Sequence, residues 1–192
     1  MRLFFVKDVR KKYRCFSSHP IRQVQVSFSK WKRLWEKARQ KLMLLPQRTL
    51  AQEQAFSLAG KEGKEPVEIL HSGRLDEDKI KSRFFFYLQR QRTKHLLLLL
   101  GEALCLPISG LAALLPGPNV FFGVLALLMI THYQALRGIH RLLKKSWVFR
   151  TSPVLAEWEE ALEAGNPQEA LRILARIEEE HGVANARKIL WK

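Results

Sequence analysis

Between His95 and Leu136 the chain reads as two apolar runs separated by Pro116-Gly117-Pro118-Asn119. Leu96 to Leu115 contains one ionisable side chain, Glu102, and Val120 to Ile130 is uninterrupted apolar sequence. A run of about 20 apolar residues is the length that crosses a bilayer as a helix. The two prolines cannot donate a backbone hydrogen bond and break such a helix. The pattern predicts a transmembrane helical hairpin, 96–115 and 119–136, with 116–119 as its turn; the second helix must borrow Thr131 to Leu136 to reach across. A buried hairpin within a soluble bundle is the alternative that the same run allows, because shorter apolar runs are often core helices.

The flanks orient the hairpin. Lys79, Lys81, Arg83, Arg90, Arg92 and Lys94 precede it, and Arg137, Arg141, Lys144, Lys145 and Arg150 follow it, with no acid in either segment. Basic flanks stay on the cytoplasmic or matrix side, so both termini are expected there, in a bacterial or mitochondrial inner membrane. Lys94, Arg137, Arg141, Lys144 and Lys145 lie nearest the apolar runs and are expected to face anionic lipid, each contributing about 1 kcal/mol near the surface. The net charge of +15 is uneven: residues 1–150 carry 28 Lys and Arg against 10 Asp and Glu, residues 151–192 carry 5 against 8. A basic body beside an apolar hairpin points to anionic lipid first, and nucleic acid is the less fitting partner for the same charge.

Upstream, residues 2–6 and 13–17 are short aromatic and β-branched runs that read as a β-hairpin. A hairpin alone is marginal in water, and a helix is expected over Lys30 to Leu45, where Trp31, Leu34, Trp35, Ala38, Leu42 and Leu45 share one face; that face suits a cover for the strands and, being Trp-rich opposite a basic side, suits the membrane interface equally well. These strands argue for a folded N-terminus rather than a mitochondrial presequence, and Leu3 to Val6 is too short for a secretory signal. Residues 46–66 read as a loop or linker and Val67 to Leu70 as a further strand. A helix resumes at Leu75, with Asp76, Glu77 and Asp78 at its positive end, and runs into the apolar region at His95. Trp147, with Tyr133, reads as an interfacial aromatic anchor. Ser152-Pro153 and Asn166-Pro167 start helices over 153–164 and 167–181, which Gly165 and Gly182 stop.

The expected fold class is therefore a mostly α membrane protein with a small N-terminal α+β region. The expected division is 1–74, a basic α+β region with a linker; 75–150, a juxtamembrane helix plus the hairpin; and 151–192, an acidic helical hairpin.

Cys15 and Cys105 suggest no bridge, the six histidines show no metal-ligand spacing, and no glycine loop cradles phosphate. The expectation is a protein that is not an enzyme and has no cofactor and no metal. Small residues Gly101, Cys105, Ser109, Gly110 and Ala113 on the first helix, and Gly123 and Ala126 on the second, suit close helix packing. Pro107 should kink the first helix. Glu102 lies as far before Gly117 as His132 lies after it, so an antiparallel hairpin sets both at about one depth.

Leu106-Pro107-Ile108-Ser109, Leu114-Leu115-Pro116-Gly117-Pro118-Asn119-Val120-Phe121-Phe122 and Thr131-His132-Tyr133-Gln134-Ala135-Leu136-Arg137-Gly138 resemble the central segment of the mitochondrial potassium/proton exchange-related family, which also has bacterial members. The resemblance implies involvement in potassium/proton exchange across an energised membrane. The family pattern leads one to expect more polar or Tyr-rich character in the second helix, whereas Gly123 to Ile130 is plainly apolar here. Under this resemblance Glu102 and His132 are either a proton-accepting pair at the mouth of an exchange path or a pair that fixes hairpin register. Two functions follow: support or regulation of exchange, within a homo-oligomer or beside a transporter partner; or a membrane-anchored scaffold that holds lipid or nucleic acid on its basic face and a partner on its acidic C-terminal helices.

Overall fold

In the computed structural model, which describes residues 2–18, 47–59, 66–111, 120–183 and 186–191, the two N-terminal runs form β1 (Arg2–Lys7) and β2 (Tyr13–Ser17). They pair antiparallel, with Phe4 opposite Phe16 and Phe5 opposite Cys15. The buried Asp8 carboxylate closes the turn by accepting from the Arg10 and Lys12 amides at 2.9 and 3.0 Å and from Arg14 Nε at 2.8 Å. β3 (Val67–His71) joins β1 in parallel, and β4 (Trp147–Thr151) joins β3 in parallel, giving the sheet order β2-β1-β3-β4.

Strand β4 corrects the reading of Trp147 as an interfacial anchor. Its indole donates to the Leu142 carbonyl at 2.9 Å and its ring stands edge-on to Phe84, with centroids 5.3 Å apart. The residue is part of the sheet's own packing.

Because side chains alternate along a strand, the sheet buries two faces. Phe4, Val6, Phe16 and Leu70 lie under α4 (Pro153–Ala164), α5 (Pro167–His181) and a π-helical turn, Arg187–Trp191. Leu3, Phe5, Cys15, Val67 and Ile69 lie under α1 (Gln47–Ala59), α2 (Glu77–Leu111) and α3 (Val120–Leu142). Helices on both faces are what parallel strands require.

The acidic C-terminal hairpin is thus docked on the body. Trp158 is fully buried and donates Nε1–H to the Lys7 carbonyl at 2.8 Å. Asn166 caps α5 by accepting from the Glu169 amide, and Gly165 and Gly182 take the left-handed conformation that ends each helix, at φ 67° and 63°. Ser152 stands at the start of α4 without a side-chain cap; its hydroxyl meets His181 Nε2 at 3.0 Å instead.

Residues 47–59, read as linker from the sequence, are the helix α1. Its polarity misleads because Gln52 and Glu53 are buried along with Ala51, Ala55, Phe56 and Ala59. The expected helix 30–45 and the turn Pro116 to Asn119 lie outside the described residues. The two-crossing expectation is also narrowed: among the described residues one helix, Phe122–Leu142, is long and apolar enough to cross a membrane. The basic residues from Lys79 to Lys94 fill the first half of α2, and its described apolar part ends at Leu111. The C-terminal end of α3, through Ala135, Ile139 and Leu142, is moreover buried in the core beneath the sheet.

Candidate functional site

Where α1, α2 and α3 meet, four ionisable side chains converge. His95 opens the apolar stretch of α2, Glu102 follows two turns later, His132 comes from α3 and Glu53 from α1. His132 Nδ1 lies 2.6 Å from Glu102 Oε1, and His132 Nε2 lies 3.5 Å from Glu53 Oε1. The His95 and His132 rings have centroids 5.5 Å apart, and Phe56 closes over His95 edge-on at 6.4 Å. Glu53, His95 and His132 are buried, and Glu102 is largely so.

The backbone brings α1 this close through Gly138. A Cβ there would collide with the Phe56 carbonyl, so α1 and α3 touch main chain to main chain. Ser57, one turn beyond Glu53, then donates its Oγ hydroxyl to Gln134 Oε1 at 3.4 Å, two residues beyond His132.

The cluster is under-satisfied. Among the described residues neither ring nitrogen of His95 has a hydrogen-bond partner, and the same holds for Glu53 Oε2 and Glu102 Oε2. Buried carboxylates need a compensating cation or donor, and the group Glu53, His95, His132 offers one ligand atom each, all within 4.8 Å of one another. Glu53 and His95 carry no mark in the sequence, because α1 and α2 are distant along the chain. The usable signal is weak: Ala51, Ala55 and Ala59 mark one close-packing face of a helix over these residues, and Glu53 stands on its other side.

The other residues singled out from sequence spread over the two long helices. Pro107 lies exposed inside α2, Gly110 is inside α2, and Gly123 is half-buried in α3. Gly101 and Cys105 face outward: a Cβ on Gly101 would meet nothing within 4 Å, and Cys105 is exposed. Lys94, Arg137, Arg141 and Lys144 are exposed and Lys145 is half-buried. Leu96, Leu97, Leu98, Leu100 and Leu104 on α2, with Phe122 and Ile130 on α3, form exposed apolar surface beyond the sheet.

Comparison with known proteins adds one finding. The profile of a family described as mitochondrial K+-H+ exchange-related matches residues 11–145. No curated protein and no solved structure matches the chain.

Proposed function

The chain belongs to the mitochondrial K+-H+ exchange-related family, and from that premise we propose that it is an integral protein of the mitochondrial inner membrane that supports or regulates potassium/proton exchange. It works within an oligomer or beside a transporter. The observation that carries this reading is the exposed leucine face of α2, from Leu96 to Leu104, alongside the apolar α3. Exposed apolar surface of this kind marks a membrane or protein contact.

In this reading the sheet and its helices sit on the matrix side, and Lys94, Arg137, Arg141, Lys144 and Lys145 meet anionic headgroups. Two helices cannot enclose an aqueous path, so ion passage needs further copies or another protein. The Glu102–His132 contact then holds α2 and α3 in register at the base of the hairpin.

The test is potassium-salt swelling of mitochondria with and without the protein. Depleted mitochondria should swell more slowly in potassium acetate, re-expression should restore the rate, and an added potassium/proton ionophore should restore it without the protein. Equal swelling before and after depletion overturns the proposal.

A further inference from the structure

We infer that Glu53, His95 and His132 form a binding site for a divalent transition-metal ion of the zinc class, with Glu102 as the outer carboxylate that orients His132. This goes beyond the exchange reading and does not rest on it.

The geometry at His132 carries the argument. Glu102 Oε1 is an acceptor 2.6 Å from Nδ1, so Nδ1 bears a proton and donates it. In a neutral ring Nε2 is then a lone pair, and it faces Glu53 Oε1, another acceptor, at 3.5 Å. Two acceptors face each other stably only across a cation.

The spacing favours a metal over a proton. A charge-assisted N–H···O bond closes to about 2.7–2.9 Å, whereas two ligands on one tetrahedral zinc, each bonded at about 2.0–2.1 Å, stand roughly 3.3 Å apart.

His95 supplies the independent observation. It is a fully buried imidazole with no hydrogen-bond partner for either nitrogen among the described residues, and it has a ligand atom within 4.8 Å of the other two. Two imidazole nitrogens and a carboxylate oxygen are donors that zinc accepts, and softer or harder metals prefer thiolates or all-oxygen sets. A carboxylate hydrogen-bonded to the far nitrogen of a ligating histidine is the usual outer partner of such a site. No fourth His, Cys, Asp or Glu among the described residues joins the group, which leaves water to complete the shell.

The experiment uses the full chain, free of affinity tag, purified in detergent and stripped with a chelator. Titration with Co2+ should give visible d–d absorption of tetrahedral type saturating at about one ion per chain, and Zn2+ should displace it. Glu53→Gln, His95→Gln and His132→Gln should each weaken Zn2+ binding by about 100-fold or more, and Glu102→Gln by about 10- to 100-fold. Cys15→Ser and Cys105→Ser should leave it unchanged. The wild-type titration alone decides the matter if a variant misfolds by far-ultraviolet circular dichroism: no saturable Co2+ absorption in the folded wild type overturns the site. So does binding that all three ligand variants retain, or that Cys15→Ser or Cys105→Ser removes. The readout is metal occupancy, so it stands whether or not the swelling experiment succeeds.

Discussion

Gly138 on α3 lies directly against the main-chain carbonyl of Phe56 on α1, with no room between them for a side chain. That contact seats the helix carrying Glu53 against the one carrying His132. Gly138→Ala forces two backbones apart, and overpacking of this kind costs about 1–3 kcal/mol. The variant should show a lower melting temperature in detergent, while Gly101→Ala, whose Cβ enters open space, should be unchanged or slightly raised. Equal melting for Gly138→Ala and wild type would mean that α1 is seated elsewhere.

Glu159 ties the C-terminal layer to the sheet. It is 2 % exposed, accepts the Lys7 amide at 3.2 Å and the Ser72 hydroxyl at 2.9 Å, and has Lys7 Nζ 3.8 Å away. Removing it strands a buried donor, which costs about 1–3 kcal/mol. Glu159→Ala should therefore lower the denaturation midpoint. Glu163→Ala, on the exposed neighbour that pairs with Arg74, should not shift it measurably.

His71 makes stability depend on pH. Burial pushes its pKa below the ordinary 6.5, with Glu159 and Glu77 only partly offsetting the shift, and its Nδ1 accepts the Gly73 amide at 3.1 Å, which requires an unprotonated nitrogen. The unfolded chain therefore takes up this proton first as pH falls. The contribution is complete above the unfolded pKa of about 6.5 and is lost on acidification from there toward the lower folded value. Urea midpoints measured from pH 7.5 to 5 should fall more for the wild type than for His71→Gln. Parallel profiles would remove His71 as the cause.

The proposed topology is open to chemical labelling. With Cys15 and Cys105 replaced by serine, a cysteine at Gly117 should react with an impermeant reagent applied from the intermembrane side. Cysteines at Ser82 and Ser146, both exposed on the sheet side, should react only after the inner membrane is opened. Labelling of Ser146 from the intermembrane side contradicts a hairpin with both ends in the matrix.

Local chemistry made several elements readable from the chain alone. Strands β1 and β2 follow from short aromatic and β-branched runs on either side of a polar turn, and α4 and α5 from proline at their first positions with glycine beyond their last. The equal spacing of Glu102 and His132 about Gly117 points to the contact that the structure places at 2.6 Å. What only the tertiary structure decided is long-range. The parallel pairing of β1 with β3 and of β3 with β4 brings Phe4 beside Leu70 and Leu70 beside Arg150, and no neighbour in sequence reports such a partner. α1 reads as polar because it packs with small residues and buries Gln52 and Glu53, inverting the usual pattern of burial. Glu53 and His95 join His132 only through that packing. The chain therefore declares its strands, its caps and its apolar runs, while the buried acid–imidazole cluster is complete only where α1 closes on the pair α2 and α3.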